Sequence, residues 1–324
     1  MRASSQKISI IIPTKDRPQD LARCLESILN QTLLPDEIII VDASDAQELN
    51  SNIIARVNEK AKTIHLHTAA GLTHQKNAGV KASSGDILFF LDDDILPEKD
   101  FVKEIVDVFN HDKEGKVAGV GGRIISPEIK ARRGRLSVNP VSAAYYLLVR
   151  AIHIVFLLGV KGDGKFRASG LGTHPYGASE VKRVENVRGG AGAYRKKIFT
   201  EFSFDENLHG YCLMEDADFS YRVSRKYVNI YTPHAKLIHN YSPVARDSRY
   251  QIEKMRVENL YYLFKKNLPQ TLKHKLTFYW AVIGLCVRGT LQTVVARNMG
   301  ILKGLLAGLI NILMRRNKLR KPRT

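Results

Sequence analysis

Over the first 125 residues, short and wholly apolar runs alternate with longer stretches of helical spacing. Ile8 to Pro13 is a β-branched run. Pro18 to Gln31 then sets Leu21, Leu25, Ile28 and Leu29 on one helical face. Glu37 to Asp42 (EIIIVD) reads as a second strand, Asp45 to Lys60 as a helix, and Thr63 to His67 as a third, alternating strand. Gly71 to Ser83 is a helix closed by Ser84-Gly85. Ile87 to Leu91 (ILFFL) is a fourth strand, and Pro97 to Phe109 predicts the next helix. Strands this apolar must be covered on both sides. The pattern predicts an α/β fold: a Rossmann-type, mostly parallel sheet with helices on both faces.

The rhythm breaks at residues 126–185, expected to be an insertion. It carries the basic patch Lys130, Arg132, Arg133 and Arg135, an apolar stretch from Val141 to Val160, and a Gly-rich loop from Gly162 to Gly177. Arg150 and His153 interrupt the apolar stretch, which suits a core helix, an interfacial helix or a lipid groove equally. Order returns with a turn-rich segment at Val187–Gly192, a helix near Met214–Lys226 and a strand near Asn229–His239. The expected division is a catalytic domain over 1–265 and a helical tail over 266–324.

Composition changes the picture mainly at that tail. The 324 residues carry a net charge of +18, yet the last acidic residue is Glu258, and the 66 residues after it hold 13 Lys/Arg. The first 258 residues hold 37 basic and 32 acidic groups, a net +5. Basicity of this kind predicts contact with an anionic surface. Interleaved exposed aromatics and nucleic-acid modules are missing, which argues against nucleic acid. The apolar runs Phe278–Val287 and Ile301–Met314 stop at Arg288 and Arg315-Arg316, short of the roughly 18 uninterrupted residues of a spanning helix. Amphipathic helices lying on a membrane are expected, with packing on protein as the alternative. Three scattered cysteines suit a reducing cytosol. The first apolar run is too short for a signal-peptide core, so a cytoplasmic-face, peripheral location is expected.

Two acidic clusters carry the candidate chemistry. Asp92-Asp93-Asp94 follows the ILFFL strand directly, where ligands bind in parallel α/β sheets. Three adjacent carboxylates repel one another and favour a divalent cation such as Mg²⁺ or Mn²⁺. Strand alternation puts Asp92 and Asp94 on one side and Asp93 on the other; a solvated acidic turn is the alternative. Glu215-Asp216-Ala217-Asp218 opens a helix, where acidic residues also serve as ordinary caps.

Taken in order, Ile11-Ile12-Pro13-Thr14, Val41-Asp42, Lys76-Asn77-Ala78-Gly79, Asp92-Asp93-Asp94, Gly189-Gly190 and Glu215-Asp216 resemble glycosyltransferase family 2 over roughly residues 7–265. The resemblance implies a GT-A fold, a nucleotide-diphosphate-sugar donor, a glycan or lipid-linked acceptor and inversion at the anomeric carbon. It implies a nucleotide site from Pro13, Thr14, Asp42, Lys76, Asn77 and Asp92, and the neighbouring Asp16, Arg17 and Asp93 are further candidates for that site. It further implies sugar or acceptor contact at Gly189 and Gly190, Asp94 as the main metal ligand, and Asp216 as catalytic base beside Glu215. His239, at the end of a strand, matches a metal-ligand position of some related enzymes; a packed histidine is the alternative. Arg246 and Arg249 lie in a segment able to close over the diphosphate, with a solvated charge run as the equal alternative. The chain departs from the pattern at Ala43, where a second acidic residue is usual, and at Lys15-Asp16-Arg17. It lacks the Gln-x-x-Arg-Trp motif of processive synthases, so transfer of one or a few sugars is expected.

Other nucleotide-sugar chemistry fits less well: a nucleotidyltransferase needs glycine after the first strand, and an aspartyl phosphatase needs its acidic pair there. A scaffold or lipid-binding protein on a transferase fold is the non-enzymatic alternative.

Overall fold

The computed structural model describes residues 6–45, 51–125, 140–159, 162–175, 178–208, 211–242, 244 and 247–314. The basic patch at Lys130–Arg135, Arg246, Arg315-Arg316 and the start of the helix expected from Asp45 lie outside the described residues. The chain divides into two compact units, one of residues 1–127, 176–210 and 215–246, the other of 128–175, 211–214 and 247–324.

The first unit is built on a nine-stranded, mixed and mostly parallel sheet. Its strands are β1 (Ile8–Thr14), β2 (Glu37–Asp42), β3 (Lys62–His67), β4 (Ile87–Leu91), β5 (Ile95–Pro97), β6 (Val117–Ile125), β7 (Lys182–Val184), β8 (Ala191–Arg195) and β9 (Val228–His239). They run in the order β3-β2-β1-β4-β8-β6-β9-β5, with β7 on β9. The block β3-β2-β1-β4 is parallel, and β8 pairs antiparallel with both β4 and β6. Alternate residues feed opposite faces, as a strand requires. Ile8, Ile10 and Ile12 join one core with Leu25 of α1 (Pro18–Leu29) and Ile105 of α4 (Phe101–His111). Ile11, Val41 and Phe90 join the other, with Phe219 of α6 (Glu215–Ser224) and Ala78 of α3 (Leu72–Ala82). A shorter helix, α2 (Ser51–Asn58), packs against α1 and β3. Chain direction across the sheet reverses between β1 and β4, and crevices at such switch points receive ligands.

The helix expected from Pro97 begins instead at Phe101, because Ile95–Pro97 pairs antiparallel with β9. The turn-rich segment ends two residues early: Ala191 starts β8, which is buried throughout.

The second unit is helical among its described residues: α5 (Pro140–Val155), α7 (Arg249–Asn267), α8 (Leu272–Ala296) and α9 (Met299–Leu313). Arg249 is therefore a helix residue. It follows Ser248, whose hydroxyl and Gln251 close a capping box that fixes where α7 starts. Phe264, Phe278 and Leu285 form its core with Ile152. α9 lies close on α7: a Cβ at Gly304 would stand 2.3 Å from Tyr250 O. α8 starts six residues before its apolar run. At 25 residues it is long and apolar enough, by length and composition, to cross a membrane, a test that a core helix also passes.

Candidate active site

Strand register assembles the site. Leu91 of β4 lies opposite Ala191 of β8, so Asp92 emerges beside Gly190. Ile95 of β5 lies opposite His239 of β9, so Asp94 emerges beside that imidazole. Thr14 closes β1 next to Asp42 of β2.

The three aspartates separate as alternation requires. Asp93 turns toward β1: it accepts from Thr14 Oγ1 at 2.8 Å and from Arg17 Nη1 at 3.1 Å. Burial nevertheless outweighs the Arg17 charge and lifts its pKa to about 6. Asp94 accepts from the Ser242 amide at 3.0 Å and pairs with His239 Nε2 at 3.0 Å. Burial opposes its charge, but these bonds and Arg17 prevail and hold its pKa at about 2. Asp92, Asp94 and His239 bring one donor atom each within 4.8 Å of one another. His239 stacks on Tyr241 with ring centroids 3.9 Å apart, and its Nδ1 is buried without a hydrogen-bond partner. Two carboxylates and an imidazole suit Mn²⁺ or Mg²⁺, and the orphaned nitrogen marks a site whose polar groups are incompletely satisfied. The donor set fits a divalent ion.

The second cluster opens α6, where the helix N-terminus favours negative charge. Asp216 accepts from the Gly189 amide at 2.6 Å and from the Ala217 amide at 2.8 Å. Glu215 is buried and takes Lys76 Nζ at 2.6 Å. Burial pushes the Glu215 pKa up to about 7 against the pull of Lys76, and its Oε2 has no partner. The glycine pair touches both clusters. Gly190 has φ +68°, and a Cβ there would stand 2.4 Å from Asp92 Oδ2; one at Gly189 would stand 3.0 Å from Glu215 Oε1. A side chain at Gly190 would have to displace Asp92 and adopt left-handed backbone.

The other expected positions are tied more to protein. Asp42 accepts from the Ser44 amide at 2.8 Å and lies 3.6 Å from His65 Nε2. Asp16, at φ +54°, donates its amide to Ser44 Oγ. Pro13 is buried in β1 beside Val41. Asn77 is engaged by the loop beyond β8, bonding Phe204 through both its amide and its carbonyl, and Glu206 through its carboxylate. Three residues escaped the sequence reading. Gln75 bridges the ends of β1 and β2 through Thr14 O and Val41 O. Ser242 and Tyr241 hold Asp94 and His239. Gln75 directly precedes the quoted Lys76-Asn77 pair, which was its available signal; the other two act through backbone and stacking and gave none.

Comparison with known proteins agrees with this geometry. Residues 9–159 match the profile of Glycosyl transferase family 2. An uncharacterized glycosyltransferase, YwdF of Bacillus subtilis, is 45% identical over 89 residues, covering 27% of this chain and 32% of that protein. A Methanococcus voltae protein, named as a dolichyl N-acetyl-alpha-D-glucosaminyl phosphate 3-beta-D-2,3-diacetamido-2,3-dideoxy-beta-D-glucuronosyltransferase, is 32% identical over 133 residues, covering 36% and 39%. The matches thus span about a third of these relatives' length. The solved mannosyltransferase PcManGT of Pyrobaculum calidifontis, in complex with GDP-Man and Mn²⁺, superposes with a TM-score of 0.56 at 14% identity, covering 97% of this chain and 89% of that one. The fold is the GT-A fold. The chain is thus similar to glycosyltransferases of family 2 over residues 9–159.

Proposed function

We propose that this chain is an inverting, non-processive hexosyl- or deoxyhexosyltransferase. It moves a sugar from a nucleotide-diphosphate-sugar to a hydroxyl of a cell-surface glycan or lipid-linked acceptor. The observation that carries the reading is the Gly189-Gly190 turn, which seats one acidic cluster against each glycine. A sugar lying over that turn has a metal-ligating group on one side and a free carboxylate lone pair on the other.

Asp94, Asp92 and His239 would hold Mn²⁺ or Mg²⁺, which when bound neutralises charge on the diphosphate leaving group. Pro13, Thr14, Asp16, Arg17, Asp42 and Asp93 border the nucleotide, with Arg17 held in place by Asp93. Lys76 and Asn77 close the same crevice, Lys76 by balancing Glu215 and Asn77 by fixing the loop at Phe204. Asp216 takes the proton from the attacking acceptor hydroxyl. Its two backbone hydrogen bonds aim the carboxylate and leave lone pairs for that task. Glu215 keeps the base in a buried, charge-balanced setting.

The catalytic domain comprises residues 1–265 with the insertion at 126–185. The tail, 266–324, lies on an anionic membrane surface at the cytoplasmic face. The GDP-Man and Mn²⁺ of the mannosyltransferase and the dolichyl-linked substrate named for the Methanococcus protein support donor, metal and acceptor class.

Release of nucleoside diphosphate from a panel of nucleotide-sugars, with Mn²⁺ and a lipid-linked acceptor mixture, tests the reading. Asp216→Asn should lower turnover by about 10²–10⁴-fold while leaving nucleotide affinity unchanged. Equal turnover in wild type and variant would overturn it.

A further inference from the structure

Inside the helical unit, Arg288 is the only charged residue between Leu276 and Ala296. Its side chain is 14% exposed, and its Nη2 comes no nearer than 4.0 Å to Glu253 Oε2. That same oxygen already accepts from Arg256 Nε at 2.9 Å. Arg288 Nε is buried with no hydrogen-bond partner. Two guanidinium groups therefore share one buried carboxylate. Burial and the Arg256 charge together pull Arg288 down to about 10, and burial and Arg288 together lower His153 on α5. A buried donor left unmet beside excess positive charge is costly unless an anion completes it. Guanidinium forks match the oxygens of a phosphate.

The surface around this cluster says which phosphate. Leu272, Leu276, Tyr279, Ile283 and Val287 recur every three or four residues of α8, Val294 follows two turns on, and all are 40–72% exposed. They make one outward apolar stripe along the whole helix. On α5, Leu147, Leu148 and Ile154 are likewise outward and exposed. Soluble surfaces rarely carry contiguous apolar patches of this extent. No acidic residue follows Glu258 in the sequence, whereas 13 Lys/Arg do. Apolar stripes with cationic flanks complement an anionic bilayer.

We propose that the helical unit is a lipid-phosphate site, in which Arg288 and Arg256 take the phosphate of an anionic lipid while the outward stripes of α8 and α5 lie among the acyl chains. The proposal refines the membrane contact suggested above and rests on it, but needs no catalysis.

Trp280, the chain's single tryptophan, reports directly: it sits on α8, 44% exposed, with its indole N–H on Val155 O. The full chain is mixed with vesicles of phosphatidylcholine, with and without phosphatidylglycerol, and with inorganic phosphate alone. Co-sedimentation and a blue shift of Trp280 emission are expected only with phosphatidylglycerol. Arg288→Gln and Arg256→Gln, checked for folding by circular dichroism, should each weaken partitioning about fivefold, and Ile283→Asp on the order of tenfold. Phosphatidylglycerol-dependent binding that ignores both arginine variants would overturn the phosphate site and spare the membrane contact. Absent or composition-independent binding would overturn both. Protection by inorganic phosphate without any vesicle response would make the ligand a free phosphate and refute the lipid assignment.

Discussion

Replacing Lys76 with methionine removes the cation hydrogen-bonded to the buried carboxylate of Glu215. Lys76 Nζ and Glu215 Oε1 are 2.6 Å apart, with side chains 2% and 6% exposed. Breaking such a pair from one side costs about 3–5 kcal/mol, because the survivor stays buried and uncompensated. Glu215 can escape part of that cost by taking a proton, so the penalty depends on pH. Its folded pKa, about 7, already lies above the ordinary 4.5. The folded chain thus keeps a proton that the unfolded chain has released. This contribution to stability is intact below about pH 4.5 and is lost as pH rises through about 7. Without Lys76 the window extends upward, each further unit costing roughly 1.4 kcal/mol. Urea unfolding followed by circular dichroism at about pH 6 and about pH 8 measures it. Lys76→Met should lose more stability, relative to wild type, at the higher pH. Lys76→Met/Glu215→Gln should recover most of the loss. A penalty below about 1 kcal/mol at both pH values, with no recovery in the double variant, would refute the reasoning.

Gly190→Ala should destabilise by about 1–3 kcal/mol, through left-handed backbone and overlap with Asp92, and should weaken Mn²⁺ binding in a titration. Asn77→Ala should cost about 1–3 kcal/mol by orphaning the Phe204 amide, and hydrogen exchange should show that amide deprotected; unchanged exchange would contradict the anchoring role.

The parallel half of the sheet was legible because β1, β2 and β4 are buried on both faces and so carry near-continuous apolar runs through their centres. β6 (VAGVGGRII) hid itself, since its glycines remove the hydrophobic signal for the same reason they are there. A Cβ at Gly122 would stand 2.7 Å from both Ala235 O and the Phe101 ring. β5 is three residues long and ends in proline, and a local pattern cannot reveal that its partner is β9. Each acidic cluster stands out in the sequence as a run of neighbouring carboxylates. What joins them is long-range: Lys76 reaches Glu215 across 139 residues, and Thr14 reaches Asp93 across 79. Tail helices were legible from their apolar runs, whereas the Ser248 cap that starts α7 went unread, and α5, left open by the sequence, is a helix with exposed apolar residues.

On the proposed function, the crevice at the β1–β4 switch point holds a nucleotide diphosphate together with a divalent ion. Thermal unfolding with UDP, dTDP, GDP and CDP, each with Mn²⁺, Mg²⁺ or EDTA, tests it on wild type and Asp94→Ala. A ligand at 100 times its Kd adds about 2.7 kcal/mol. The account predicts that one diphosphate raises the wild-type midpoint only with metal, and that Asp94→Ala abolishes the rise. Stabilisation indifferent to metal, or retained in Asp94→Ala, would contradict it.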